Sequence, residues 1–144
     1  MLNRAGYYKK INKLELASND LEELLKHHPK NYNAKSNLAN IKRRLGKEDE
    51  ALNDFNELVA GYPLDATLLN NRADIYMNMK RFDEAIVDIE KAISTDNKYS
   101  TAYVTKGEIL LQLGKTEEAC KEFNYAITLG FSKGLLADLM TKCQ

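Results

Sequence analysis

The chain is short of the residues that interrupt or staple a backbone. It has two prolines, seven glycines, two cysteines and no tryptophan in 144 residues. So few breakers exclude a collagen-like or loop-dominated chain. Two cysteines are too few for the disulfide framework of a small secreted scaffold, and Cys120 and Cys143 are expected as free thiols, with Cys120 buried in an apolar stripe. No apolar run reaches the ~18 residues a membrane helix needs. The N-terminal MLNRAGYYKKINK lacks the apolar core of a signal peptide. With neither signal nor span, a soluble, cytoplasmic chain is the default expectation. β-Branched and aromatic residues are not enriched either, which argues against a sheet. Leu, Ala, Lys, Glu and Asn dominate instead, and they favour helix.

Catalytic chemistry is thin as well. The two histidines, His27 and His28, are adjacent and so point to different sides of a helix end. Metal ligands on a helix sit three or four residues apart, so a role at the last turn, near the negative end of the dipole, is expected instead. Cys120 has no histidine near it in sequence to act as its base. Neither glycine-rich phosphate motif occurs. No enzyme activity, cofactor or metal is expected.

Charge of one sign is locally missing. Overall, 21 Lys and Arg balance 21 Asp and Glu. Residues 1–47, however, carry eleven bases against four acids, a net of +7, and residues 48–144 carry ten against seventeen, a net of −7. Such asymmetry can orient a partner or favour weak head-to-tail self-association.

What is present is a repeat. RRLGKEDEALNDF, from Arg43, and LQLGKTEEACKEF, from Leu111, align at an offset of 68 residues, and MNMKRFDEAIVDI lies midway between them. The period is 34, and the alanine series Ala17, Ala51, Ala85, Ala119 keeps it without a gap. Each unit reads as two helices. The second carries Ala51, Leu52, Phe55, Leu58 and Val59, then Ala85, Ile86, Ile89, Ala92 and Ile93, then Ala119, Cys120, Phe123, Ala126 and Ile127. That spacing makes one face of an α-helix. Ala5, Ala39, Ala73 and Gly107 recur in the first helix, where small residues permit a close crossing. Gly46 and Gly114 are placed for the left-handed conformation between the helices. Acids open the second helices, where the dipole favours them, and Pro29 and Pro63 follow two of them. A hairpin alone cannot bury its stripe, so stacking is required.

A 34-residue helix–turn–helix with small residues at these positions and a closing proline resembles the tetratricopeptide repeat. The pentatricopeptide family, with a 35-residue period, fits less well, because the spacing here never slips. The expected fold is all-α, an α-solenoid of antiparallel hairpins in one domain over residues 1–144. Residues 1–31 form a partial repeat, 32–65, 66–99 and 100–133 form full ones, and 134–144 form a capping helix started by Ser132. Met1 falls at the fourth position of a repeat, so the stack begins with a short helix or the chain is a piece of a longer one. The family's usual leucine is replaced by Arg4, Arg72 and Lys106 in three units.

The resemblance implies a non-catalytic scaffold that holds a peptide or partner helix in a concave groove lined by the first helices. The groove residues would be Asn37, Asn40, Arg43 and Arg44 in one unit, Asn70, Asn71, Asp74 and Asn78 in the next, and Thr105, Glu108 and Gln112 in the third. A side-chain amide both donates and accepts, so the series Asn3, Asn37, Asn71 suits a peptide backbone. Co-chaperones of the family grip a terminal carboxylate with fixed cations. Asn40 and Asn71 match that clamp, but Ser36, Thr101 and Thr105 stand at the cationic places. Heat-shock-chaperone tails are therefore not expected as partners. Two other readings remain: nucleic-acid binding through the basic N-terminal half, centred on Lys42-Arg43-Arg44 and disfavoured by Asp74 and Glu108, or a structural arm of a larger protein.

Overall fold

The computed structural model describes all 144 residues, as helices and short connections with no strand. No helix is long and apolar enough to cross a membrane. The chain divides into two compact units, Met1–Pro63 and Leu64–Gln144.

The first unit holds α1 (Leu2–Lys10), α2 (Leu14–His27), α3 (Tyr32–Arg44) and α4 (Glu48–Gly61), each packed on its neighbour in sequence. Leu14, Ala17 and Leu21 of α2 meet Ala5 of α1 and Ala34, Leu38 and Ile41 of α3. Asn31 starts α3 by accepting a hydrogen bond from the backbone N–H of Ala34 at 2.9 Å. The expected apolar stripe of α4 is buried in full, from Ala51 to Val59. Pro29 and Pro63 stand two residues past the ends of α2 and α4.

The second unit holds α5 (Ala66–Asn78), α6 (Phe82–Thr95), α7 (Ser100–Gln112) and α8 (Thr116–Thr128), followed by a terminal segment. The α5–α6 and α7–α8 hairpins are the tightest pairings, and α7 packs on both α5 and α6. Ala73 and Gly107 lie at the close crossings. A Cβ placed on Gly107 would come within 2.4 Å of the Phe123 ring, so this position admits nothing larger than hydrogen.

The turns keep the 34-residue register. Asn12, Gly46, Lys80 and Gly114 all have positive φ, at 58°, 74°, 61° and 76°. Two glycines supply this conformation freely, whereas Asn12 and Lys80 adopt it against the steric cost of a Cβ.

The replaced leucines find partners. Arg4 donates two hydrogen bonds to Asp20, at 2.7 and 2.6 Å. Arg72 does the same to Asp88, at 2.7 Å for both, and Lys106 lies 3.0 Å from Glu122. Each pair joins the first helix of a hairpin to the second at the same register. In the remaining hairpin Leu38 keeps the family's residue, and Asp54 is met instead by Lys42 at 2.6 Å. Sequence reading saw these cations only as departures from a pattern; they are the hairpins' cross-links.

The terminal segment corrects two expectations. Residues Lys133–Leu136 form a 3-10 turn, Ala137–Met140 a single α-turn (α9) and Thr141–Cys143 another 3-10 turn, in place of one regular capping helix. Ser132 is extended and makes no side-chain cap. The segment still covers the last hairpin, with Leu136 fully buried among Tyr103, Val104, Leu110 and Phe123 and with Leu139 and Met140 against that cluster. The cysteines are not free thiols. Cys120 of α8 and Cys143 form a disulfide with their Cα atoms 5.7 Å apart. The wrap of the terminal segment brings together positions 23 residues apart, which no spacing in the sequence announces.

Candidate functional site

The first helices α3, α5 and α7 carry the residues expected to face a groove, and the two units present different chemistry. In the first unit, half-buried Asn37 accepts a hydrogen bond from the Lys9 Nζ of α1 at 3.3 Å. Asn40 donates its amide to the carbonyl of Ser36, one turn back on its own helix, at 3.1 Å. Arg43 is half-buried at the last turn of α3. Arg44 is exposed and bonds Asn12 Oδ1 at 2.9 Å, so its guanidinium is held at the preceding hairpin's turn rather than along the helix face. Lys42 is engaged by Asp54 and lies 3.8 Å from Glu50. Of the Lys42-Arg43-Arg44 cluster, two cations are thus occupied within their own unit.

In the second unit the residues come together more closely. Asn70, Asp74 and Met77 recur at helical spacing on one side of α5, and Thr105, Glu108 and Gln112 do so on α7. Asn70 is 5% exposed, and its Oδ1 is buried without a hydrogen-bond partner. A buried amide oxygen without a donor costs stability, about 1–3 kcal/mol. Thr105 is also buried. One turn further on, burial raises the pKa of Glu108, and the charge of nearby Asp74 raises it further. Asn71 is half-buried and Asn78 exposed. Gln112 is exposed and accepts a hydrogen bond from Lys80 Nζ at 3.3 Å.

Beyond Glu108 the two helices open into a cleft of about 260 Å³. Met77, Leu111 and Gln112 form its sides, and Leu139 and Lys142 of the terminal segment close one end. Sequence reasoning missed those last two. Leu139 read as part of a covering stripe, and nothing local tells which wall a terminal turn builds. It also missed Tyr99, at the other end of the strip. Asn31 and Asp65 cap α3 and α5 with their side chains, but Tyr99 stands at the matching place before α7 and provides no cap. Its hydroxyl lies toward Thr67 and Thr101, and burial raises its pKa. The exchange of a capping oxygen for a phenol was visible in the 34-residue alignment and is the signal that could have found it.

No cluster of His, Cys, Asp or Glu is arranged to hold a metal ion. The arrangement offers hydrogen-bond acceptors, two carboxylates and an apolar recess, which are means of binding.

Three family models match, all described as tetratricopeptide repeat, over residues 2–66, 66–99 and 100–129. Among solved structures, the chain is similar to the pilF protein of Pseudomonas aeruginosa, with a TM-score of 0.83 and 23% identity over 98% of this chain and 66% of that one. It is similar to MamA, with a TM-score of 0.74 and 22% identity over 89% of this chain and 75% of that one. A tetratricopeptide repeat protein from Parabacteroides merdae matches with a TM-score of 0.73 and 24% identity, over 92% of this chain and about half, 53%, of its own. At these identities the likeness is one of fold. No curated protein matches the chain in sequence.

Proposed function

This chain belongs to the tetratricopeptide repeat family, whose members are generally non-catalytic interaction scaffolds, and on that premise we propose that it binds an extended peptide or a partner helix along its first helices. The observation that carries the reading is the half-buried amide that recurs at one register of successive first helices. Asn37 and Asn71 stand at one position of successive repeats and are half-buried, within reach of a ligand backbone yet held on rigid helices.

The clamp for terminal carboxylates lacks its cations here. Thr105, at one of the cationic places, is a buried hydroxyl. An EEVD-type peptide is therefore expected to show no binding in the low micromolar range by isothermal titration. Nucleic acid is disfavoured, because Lys42 and Arg44 are already engaged and Asp74 and Glu108 would repel a phosphate backbone. The test of the main reading compares partners captured by the wild type and by Asn37→Ala/Asn71→Ala. A partner lost by the variant while its melting temperature holds supports the groove. A partner held equally by both removes it.

A further inference from the structure

The terminal segment has little secondary structure to hold it in place. Its longest helix is the single turn Ala137–Met140, set between two 3-10 turns. A helix this short has no stability of its own in water. Leu136 is fully buried, but Leu139, Met140 and Cys143 are only half-buried, and Leu135 is 76% exposed. The Cys120–Cys143 bond ties the far end of the segment to α8 across a sequence separation of 23. The closed loop forbids most of the conformations that an opened segment would otherwise reach. Both cysteines are half-buried rather than sealed inside the hairpin, and access governs whether a thiol can attack a bridge. Cys143 directly follows Lys142, which with Leu139 closes one end of the cleft beside Met77 and Leu111. The bond that fixes the segment therefore also fixes the end wall of that cleft.

We propose that the Cys120–Cys143 disulfide is a redox latch: reduction by a dithiol lets residues 133–144 leave the last hairpin, and a small disulfide, by the reverse exchange, seats them again. A thiolate of the dithiol attacks one sulfur of the bridge, the bond between the cysteines breaks, and the displaced sulfur takes a proton. The second sulfur of the dithiol then displaces the first. Two electrons and two protons pass to the protein, which ends with two thiols, while the dithiol ends as its own disulfide. Removing a bridge over a loop of this span multiplies the population of the opened segment about a hundredfold. Opening bares Tyr103, Val104 and Phe123, where Leu136 sits, and takes Leu139 and Lys142 away from the cleft. The α5–α6 and α7–α8 hairpins keep their own packing and stay as they are. The latch stands on the second unit alone. Its consequence for a ligand, a cleft open at that end only in the reduced protein, rests on the groove reading.

The test uses the full chain, isotope-labelled for NMR, before and after treatment with dithiothreitol. In the oxidised protein the Leu135 and Ala137 amides donate to the carbonyls of Ser132 and Gly134. Their hydrogen exchange is expected to quicken about a hundredfold on reduction, while exchange within α7 and α8 holds. The methyl signals of Met77 and Leu111 should shift as the end wall leaves, and trypsin should cleave after Lys133 many times faster. Oxidised glutathione should restore the slow exchange. Cys120→Ser/Cys143→Ser should show the reduced pattern with or without dithiothreitol, which ties the response to this bridge. Exchange at Leu135 and Ala137 unchanged by reduction would overturn the latch and make the bridge a passive staple. Exchange quickened equally in α7 and α8 would also overturn it and make the bridge a brace for the whole hairpin. No readout involves a groove ligand, so either failure leaves the groove reading standing, as loss of that reading leaves the latch.

Discussion

At the scale of single residues, the turn position shows what a degenerate repeat costs. Gly46 and Gly114 take positive φ without a Cβ, whereas Lys80 takes it with one, at 61°. The left-handed conformation costs a non-glycine residue about 1–2 kcal/mol, and glycine returns roughly half of that through the greater freedom of its unfolded chain. Lys80→Gly should therefore stabilise the protein by about 0.5–1 kcal/mol, and Gly114→Ala should destabilise it by a similar amount. Thermal unfolding of the two single variants checks both signs; the Lys80 Nζ contact to Gln112, long at 3.3 Å and exposed, is too weak to reverse the first. This position was legible from the alignment of Gly46, Lys80 and Gly114 alone. The candidate site residues were less so. Asn70 could be placed on a helix face by counting, but that its oxygen would lack a partner depends on what α7 puts opposite it, and that is a tertiary fact.

At the scale of elements, hairpins are held by their small-residue crossings and by a cation–carboxylate link between first and second helices. The crossings were legible, because Ala and Gly recur at fixed register. The links were not, because they replace the family's leucine differently in each copy. Asp88 is 4% exposed and depends on Arg72. Removing one partner of a buried pair strands the other charge, so Arg72→Leu should cost about 3 kcal/mol in chemical denaturation. The first unit supplies its own remedy, since Leu38 there coexists with Asp54 because Lys42 reaches it. Tyr76 occupies the place of Lys42, one repeat on, so Arg72→Leu/Tyr76→Lys should recover part of the loss. A double variant no more stable than the single one would show that the two hairpins do not share this logic. The disulfide is a second link of the same scale. Cys120–Cys143 closes a segment spanning 23 positions, and such a loop is worth about 3 kcal/mol. Cys143→Ser should lower the melting temperature of the oxidised protein and leave that of the reduced protein nearly unchanged. Intact mass, which differs by two hydrogens between the states, verifies which one is being melted.

At the scale of the whole molecule, a balanced formal charge conceals carboxylates placed to opposite effect, and their response to acid separates structure from binding. Asp20 lies under the Arg4 guanidinium, whose hydrogen bonds and charge hold its pKa below the ordinary aspartate value. Its contribution to stability is complete above that ordinary value and is lost as pH falls through the lowered one. Asp20→Asn should thus destabilise the protein at neutral pH, by a margin that closes on acidification. Glu108 has the reverse sign. Burial, then Asp74, raises its pKa, so the folded state bears a penalty that is complete above the raised value and vanishes as pH falls through the ordinary glutamate value. Glu108→Gln should melt higher than the wild type at neutral pH and converge with it in acid. The two variants, followed by circular dichroism from about pH 7 to pH 3.5, should approach the wild-type curve from opposite sides. The helical repeat was legible throughout the sequence because packing repeats every 34 residues. The carboxylates were legible only as acids on a helix, and their opposed signs follow from the Arg4 guanidinium at one and from burial at the other. If Glu108→Gln instead melts lower at neutral pH, the carboxylate has a stabilising contact that outweighs its burial.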